Sequence, residues 1–224
     1  VGNDLRLVIF DVDGTLVDSQ NHIQAAMSHA FGALHLPPPA LDQTRSIVGL
    51  SLPQAIARLA PDQTEAVQAR IVDNYKDSFG ASRIHGPAPL YPGAAAALAG
   101  LAGRDDLLLG VATGKSMRGL RHLLAAHRLE GVFQTLQVAD NHPSKPHPAM
   151  ILAALAETGV GAGRAIMVGD TTYDMEMARA AGVQAIGVGW GYHPQDALWA
   201  AGAARVVTDY TQLLPALEDL WRTA

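Results

Sequence analysis

The 224-residue chain contains no cysteine. That one absence excludes disulfides, thiolate zinc sites and a cysteine nucleophile, and it leaves the redox compartment unconstrained by thiols. Aromatic residues make up only 5% of the sequence, and no Lys/Arg cluster interrupts a net charge of −5. The electrostatic footprint of a nucleic-acid binder is therefore missing. An anionic small molecule would need a local positive centre instead of a global field. Long apolar runs are missing too. The longest uncharged tract, around Gly86 to Gly103, is mostly Ala, Gly and Pro, too weakly apolar and too broken to span a bilayer, so no membrane segment is expected. No stretch has the basic start and apolar centre of a signal peptide, which makes a cytoplasmic location the expectation.

Apolar residues, at 49%, suffice to pack one large domain or a core domain with a smaller companion. The organising stretch is Phe10-Asp11-Val12-Asp13-Gly14-Thr15-Leu16-Val17-Asp18-Ser19, entered from the run Leu5-Arg6-Leu7-Val8-Ile9. A short aliphatic and β-branched run bounded by turn residues reads as a buried strand. Asp11 and Asp13 then emerge at its C-terminal end, where open α/β sheets bind ligands. Gly14 permits a sharp turn there. Two carboxylates held together repel, more so in apolar surroundings, and call for a cation. A hard divalent ion such as magnesium, which takes oxygen ligands, fits best. The plainer possibility is that Asp13-Gly14 is merely a turn. A calcium loop fits worse, because the positions that need Gly and Glu hold Leu16 and His22.

After Asp18-Ser19, which can cap a helix, Ile23, Met27, Ala30, Phe31 and Leu34 recur at helical steps until Pro37-Pro38-Pro39. Helices are expected at 41–48, 52–59 and about 63–79, the last with Val67, Ile71, Tyr75 and Phe79 on one face. No strand pattern occurs between Ser19 and His85. Regular alternation resumes after the proline cluster at 86–93, with strands at 107–113, 135–138, 165–168, 184–188 and 205–207 separated by helices. The expected architecture is α/β: a doubly wound parallel sheet from residues 1–18 and 86–224, with an all-helical cap of residues 19–85 inserted after the first strand.

Three more polar clusters fall at strand ends. Thr113-Gly114-Lys115-Ser116 closes a strand and opens a helix, placing a hydroxyl and free N–H groups at a helix start. It is not a P-loop, since Leu109 stands where that pattern needs Gly. Ser144-Lys145-Pro146-His147-Pro148 holds one lysine in a rigid loop, an anion partner only if the fold turns it toward Asp11. Gly169-Asp170-Thr171-Thr172-Tyr173-Asp174 adds two acids that either cap a helix or bind metal, and capping does not exclude binding. The nine histidines lack zinc-motif spacing, and His142 and His147 are expected to be ordinary loop residues.

Together, Asp11-x-Asp13-Gly14-Thr15, Thr113, Lys145 and Gly169-Asp170-x-x-x-Asp174 occur in the order of the four motifs of the haloacid dehalogenase-like hydrolases, and the insertion resembles that superfamily's small helical cap. The second aspartate, Asp13, is similar to the phosphate-transfer branch, because true dehalogenases lack it. Leu16-x-Asp18-Ser19, Tyr91-Pro92-Gly93, Lys145-Pro146-His147-Pro148 and Gly189-x-Gly191-Tyr192 resemble phosphoglycolate phosphatase-like members. Many of those carry Thr-Asn where this chain has Thr113-Gly114.

The resemblance implies a phosphatase acting on a small phosphorylated metabolite. Asp11 would be the nucleophile that forms an aspartyl-phosphate, and Asp13 the general acid and base. Magnesium would be held by Asp11, the Asp13 carbonyl and Asp170, with Asp174 supporting them. Thr113, the Gly114 N–H and Lys145 would hold the transferring oxygens, and the cap around Arg45 to Ser51 would select the leaving group. A phosphomutase of the same fold remains an alternative, as does a phospho-accepting signalling receiver, although that fold is smaller and phosphorylates an aspartate after an interior strand.

Overall fold

The computed structural model describes residues 5–81 and 86–223. Six parallel strands form one sheet in the order β3-β2-β1-β4-β5-β6: β1 (Arg6–Phe10), β2 (Leu107–Thr113), β3 (Thr135–Val138), β4 (Ala165–Gly169), β5 (Gln184–Val188) and β6 (Arg205–Val207). β1 lies at the centre, paired with β2 from Arg6↔Leu107 to Phe10↔Val111 and with β4 from Leu7↔Ala165 to Phe10↔Val168. The chain winds outward from β1 in both directions, so the ends of β1 and β4 flank the point where the winding reverses. Crevices form at such points.

Alternation within β1 shows why both faces are covered. Val8 and Phe10 point into one apolar layer with helices α5 (Ala94–Ala102), α6 (Met117–Ala126) and α10 (Leu213–Thr223). Leu7 and Ile9 point into a second with α7 (Ala149–Thr158), α8 (Thr172–Ala180) and α9 (Gln195–Ala201). All four side chains are fully buried, which accounts for the unbroken apolar run in the sequence.

Between β1 and β2 stand α1 (Gln20–Gly32), α2 (Leu41–Ile47), α3 (Leu52–Leu59) and α4 (Glu65–Ala81), which form a cap. They bury an apolar cluster of their own, centred on Ile23, Met27, Phe31, Ile56 and Ile71. The cap's expected limit at His85 falls on residues 82–85, and the expected start of the sheet domain on residues 1–4, both outside the described residues.

Two local expectations differ from the structure. Helix α1 stops at Gly32 and not at Leu34, because the Leu34 N–H turns back to the Phe31 carbonyl and His35 adopts a φ of 57°, ending the helix ahead of the prolines. Ser19 occupies the N-cap position of α1, yet its hydroxyl makes no capping bond and lies 3.2 Å from the Tyr192 hydroxyl. A contact with the sheet domain has replaced the local one. Among the described residues, no helix is long and apolar enough to cross a membrane.

Candidate active site

The strand ends bring the acids together. Asp11 follows β1 directly, and its N–H donates to the Val168 carbonyl at 2.9 Å, extending the β1–β4 ladder by one bond and fixing the side chain over the crevice. Asp170 follows β4. Its carboxylate accepts the Thr15 hydroxyl at 3.0 Å and the Tyr192 N–H at 2.9 Å. Asp174, in the first turn of α8, closes a capping box with Thr171, whose N–H and hydroxyl donate to Asp174 Oδ2 at 3.1 and 2.7 Å. The capping role of this cluster is thus real, and it leaves Asp174 Oδ1 facing inward. Asp11, Asp170 and Asp174 each offer a carboxylate oxygen within 4.8 Å of the others, and all three are buried.

Lys145 reaches this cluster from the loop after β3. Its ammonium donates to Asp11 Oδ1 at 2.7 Å and to Asp174 Oδ1 at 2.6 Å, with no exposed side-chain surface. Burial alone would lower the lysine's pKa, but Asp11 and Asp174 outweigh it and push it above the ordinary range. One cation cannot balance three buried acids. Burial, with further repulsion from Asp174, raises Asp11 from 3.8 to about 7 against the pull of Lys145. Burial and the charges of Asp11 and Asp174 raise Asp170 as well.

Two buried oxygens, Asp11 Oδ2 and Asp13 Oδ1, have no hydrogen-bond partner. Orphaned acceptors beside an excess of buried negative charge, in an all-oxygen donor set, fit a hard divalent cation. Among the described residues, the group that could hold a metal contains no histidine. His142 bonds Gln137 at 2.7 Å, and His147 accepts the Ala149 N–H at 3.2 Å.

Gly14 takes the turn out of β1 with a φ of +87°, where a side chain is strained, and a Cβ there would meet Tyr192 Cδ2 at 2.8 Å. The Thr15 carbonyl beyond it accepts Trp190 Nε1–H at 3.1 Å and the Tyr210 hydroxyl at 2.7 Å, so the turn is pinned from the far side of the sheet. Asp13 Oδ2 pairs with the Lys115 ammonium at 2.9 Å. The sequence offered Lys115 only as part of a failed P-loop; its position directly after Thr113-Gly114 was the available signal. Thr113 is buried, and its hydroxyl accepts the Lys115 N–H at 3.2 Å.

Gly114 marks the contact with the cap. A Cβ there would stand 2.7 Å from the Gly49 carbonyl oxygen and closer still to that of Leu50. Nearby, the Ser51 N–H donates to Ser144 Oγ at 2.8 Å, tying the same cap loop to the lysine loop. Arg45 lies apart from this seam. It donates to Gln20 Oε1 at 2.5 and 3.1 Å, stands 3.6 Å from Asp42, and does not line the large cavity between cap and sheet domain. That cavity, about 640 Å³, is bordered on the catalytic side by Asp13, Gly114 and Lys115.

The family model described as haloacid dehalogenase-like hydrolase matches residues 8–188. A Dickeya dadantii (strain 3937) protein named "Probable phosphatase IndB" is 38% identical, over 96% of this chain and 94% of its own length. A protein of Pseudomonas putida (strain KT2440) named "Phosphoglycolate phosphatase" is 31% identical, over 96% of this chain and 80% of its own. A solved haloacid dehalogenase-like family hydrolase from Streptococcus pneumoniae superposes with a TM-score of 0.83 at 25% identity, covering 95% of this chain and 98% of that one.

Proposed function

Because the chain belongs to the haloacid dehalogenase-like hydrolase family, we propose that it is a magnesium-dependent phosphomonoesterase of the phosphoglycolate phosphatase-like kind, working through an aspartyl-phosphate on Asp11. The observation that carries this reading is the Asp11 carboxylate. One oxygen is held by buried Lys145 and the other is left without a partner at the crevice.

In the first step an Asp11 oxygen attacks phosphorus as the ester P–O bond breaks, and protonated Asp13 gives its proton to the departing alkoxide. In the second, water attacks the aspartyl-phosphate and passes its proton to Asp13. Phosphate leaves and both carboxyl groups return to their starting states. Lys145 keeps Asp11 oriented and, with the Thr113 hydroxyl and the Gly114 N–H, meets the charge carried by the phosphoryl oxygens. Asp11, Asp170 and the Asp13 carbonyl would hold magnesium, with Asp174 supporting them, and the ion would neutralise charge between nucleophile and phosphate dianion. Residues 19–85 act as a cap domain over a core of residues 1–18 and 86–224. Closure excludes bulk water and restricts the substrate to small phosphorylated metabolites.

The test is Asp11→Asn, which keeps the shape and removes the nucleophile. Phosphate release is expected to fall by at least about 10³-fold with the folded state retained. Substantial turnover by the folded variant, or undiminished wild-type turnover after exhaustive chelation, would refute the assignment.

A further inference from the structure

The cavity beside Asp13 is far larger than a glycolate leaving group requires. Glycolate has five heavy atoms, which at roughly the 30 Å³ of one water molecule each amount to about 150 Å³. The cavity holds about 640 Å³. Its position assigns it a side of the reaction, because it touches Asp13, the group that protonates the leaving oxygen, and stays clear of Asp11, Asp170, Asp174 and Lys145.

Its walls are as informative as its size. Ile23, Met27, Val48, Leu50, Leu52 and Leu123 line it, and four of these belong to the cap's own apolar cluster. A carboxylate-bearing leaving group needs a buried cation to replace its lost water. Among the described lining residues the Lys and Arg side chains are Lys76, Lys115 and Arg118. Lys76 and Arg118 are exposed, Lys115 stands 2.9 Å from Asp13 at the edge where the leaving oxygen would sit, and the lining His22 has its Nε2 3.2 Å from the Gly86 carbonyl oxygen. The apolar walls favour a group that presents mostly apolar surface to them.

Resting on the phosphatase reading, we propose that the substrate is a phosphomonoester whose alcohol carries a largely apolar group of ring size, seated between α1, α2 and α3 of the cap and the start of α6. Such a group removes apolar wall from water when the cap closes, and glycolate leaves most of that wall wet.

The experiment compares kcat/KM, with magnesium present, for ethyl phosphate, phosphoglycolate and cyclohexylmethyl phosphate. All three release primary alcohols, so differences report on the cavity more than on leaving-group reactivity. Cyclohexylmethyl phosphate is expected to exceed both others by at least about tenfold, a conservative share of what five extra buried carbons supply. Ala55→Trp fills the cavity from α3 and Ala88→Phe fills it from the returning loop. Each, once shown to be folded by its melting transition, is expected to bring the cyclohexylmethyl-to-ethyl ratio toward one. The loop variant keeps the test decisive if the helix variant fails to fold. Turnover with ethyl phosphate or phosphoglycolate preferred would overturn this inference alone, as would a ratio unmoved in the folded variants. No phosphate release from any ester would overturn the phosphatase reading and this inference with it.

Discussion

Lys145 is a fully buried ammonium among three buried carboxylates, and its removal takes away the cation paired with two of them, Asp11 and Asp174. Breaking a buried pair by deleting one partner costs about 3–5 kcal/mol, because the surviving charge stays desolvated. Lys145→Met is therefore expected to lower stability by that order in chelator and to recover part of it in magnesium. Phosphate release should fall at least about 10²-fold if Lys145 is the donor to the transferring oxygens proposed above. Denaturant melts with and without magnesium, run beside a turnover assay, check both. At this scale the sequence was only partly readable. Asp11 and Asp170 stand immediately after apolar strands, so their place at the crevice follows from period and punctuation. Lys145 lies 134 residues from Asp11, and a lysine between loop residues looks the same whether it is solvated or buried. The Asp13–Lys115 pair and the Thr15 bond to Asp170 join residues from separate loops, and no local pattern encodes them.

Between elements, Tyr173 is one of the groups that hold the cap down. Tyr173 of α8 donates its hydroxyl to the Ser46 carbonyl at 2.8 Å and accepts Arg58 Nη1–H at 2.7 Å, spanning from the sheet domain to α2 and α3. These groups are exposed enough to exchange with water, so each bond contributes about 0.5–1.5 kcal/mol to the closed arrangement. Tyr173→Phe is expected to raise KM by about three- to tenfold and to leave the melting temperature within about 2 °C, because the ring stays and only the link is lost. Steady-state kinetics read against a thermal melt separate a loosened cap from a damaged fold. The helices and strands themselves were legible, since their apolar periods are long and turn residues bound them. The seam was not. It includes backbone carbonyls, the Tyr173 and Tyr192 hydroxyls and the Ser51–Ser144 bond, none of which leaves a periodic trace.

For the whole molecule, the acid cluster links stability to pH and to metal. Asp11 titrates near 7 in the folded chain against 3.8 ordinarily, so the folded state binds the extra proton between those values. The stabilisation from that proton is fully present below 3.8 and is lost as pH rises through about 7. In chelator the melting temperature is expected to fall as pH is raised from 6 to 8, by roughly 2–4 °C for each kcal/mol lost. Magnesium should flatten the slope, because a bound cation supplies the charge that the proton otherwise provides. Scanning calorimetry at several pH values, with and without the ion, tests this. A slope indifferent to magnesium would place the ion elsewhere. The doubly wound sheet makes this coupling global, since Asp11 and Asp170 directly follow the central strands β1 and β4, whose loss is the loss of the fold.

The meeting of Gly114 with the carbonyls of Gly49 and Leu50 leaves no side-chain thickness between the cap and the sheet domain. Position 114 thus acts as a spacer gauge for the shut enzyme: any side chain inserted there props the jaws apart by its own width. Asparagine, which the resemblance to phosphoglycolate phosphatase-like sequences leads one to expect there, would have to push the cap carbonyls back. Gly114→Asn should leave the sheet domain intact, admit bulk water to the phosphoryl site, and lower kcat more than about tenfold while speeding proteolytic nicking between cap and core. A variant that turns over at the wild-type rate with unchanged proteolysis would show that the lid has another resting height.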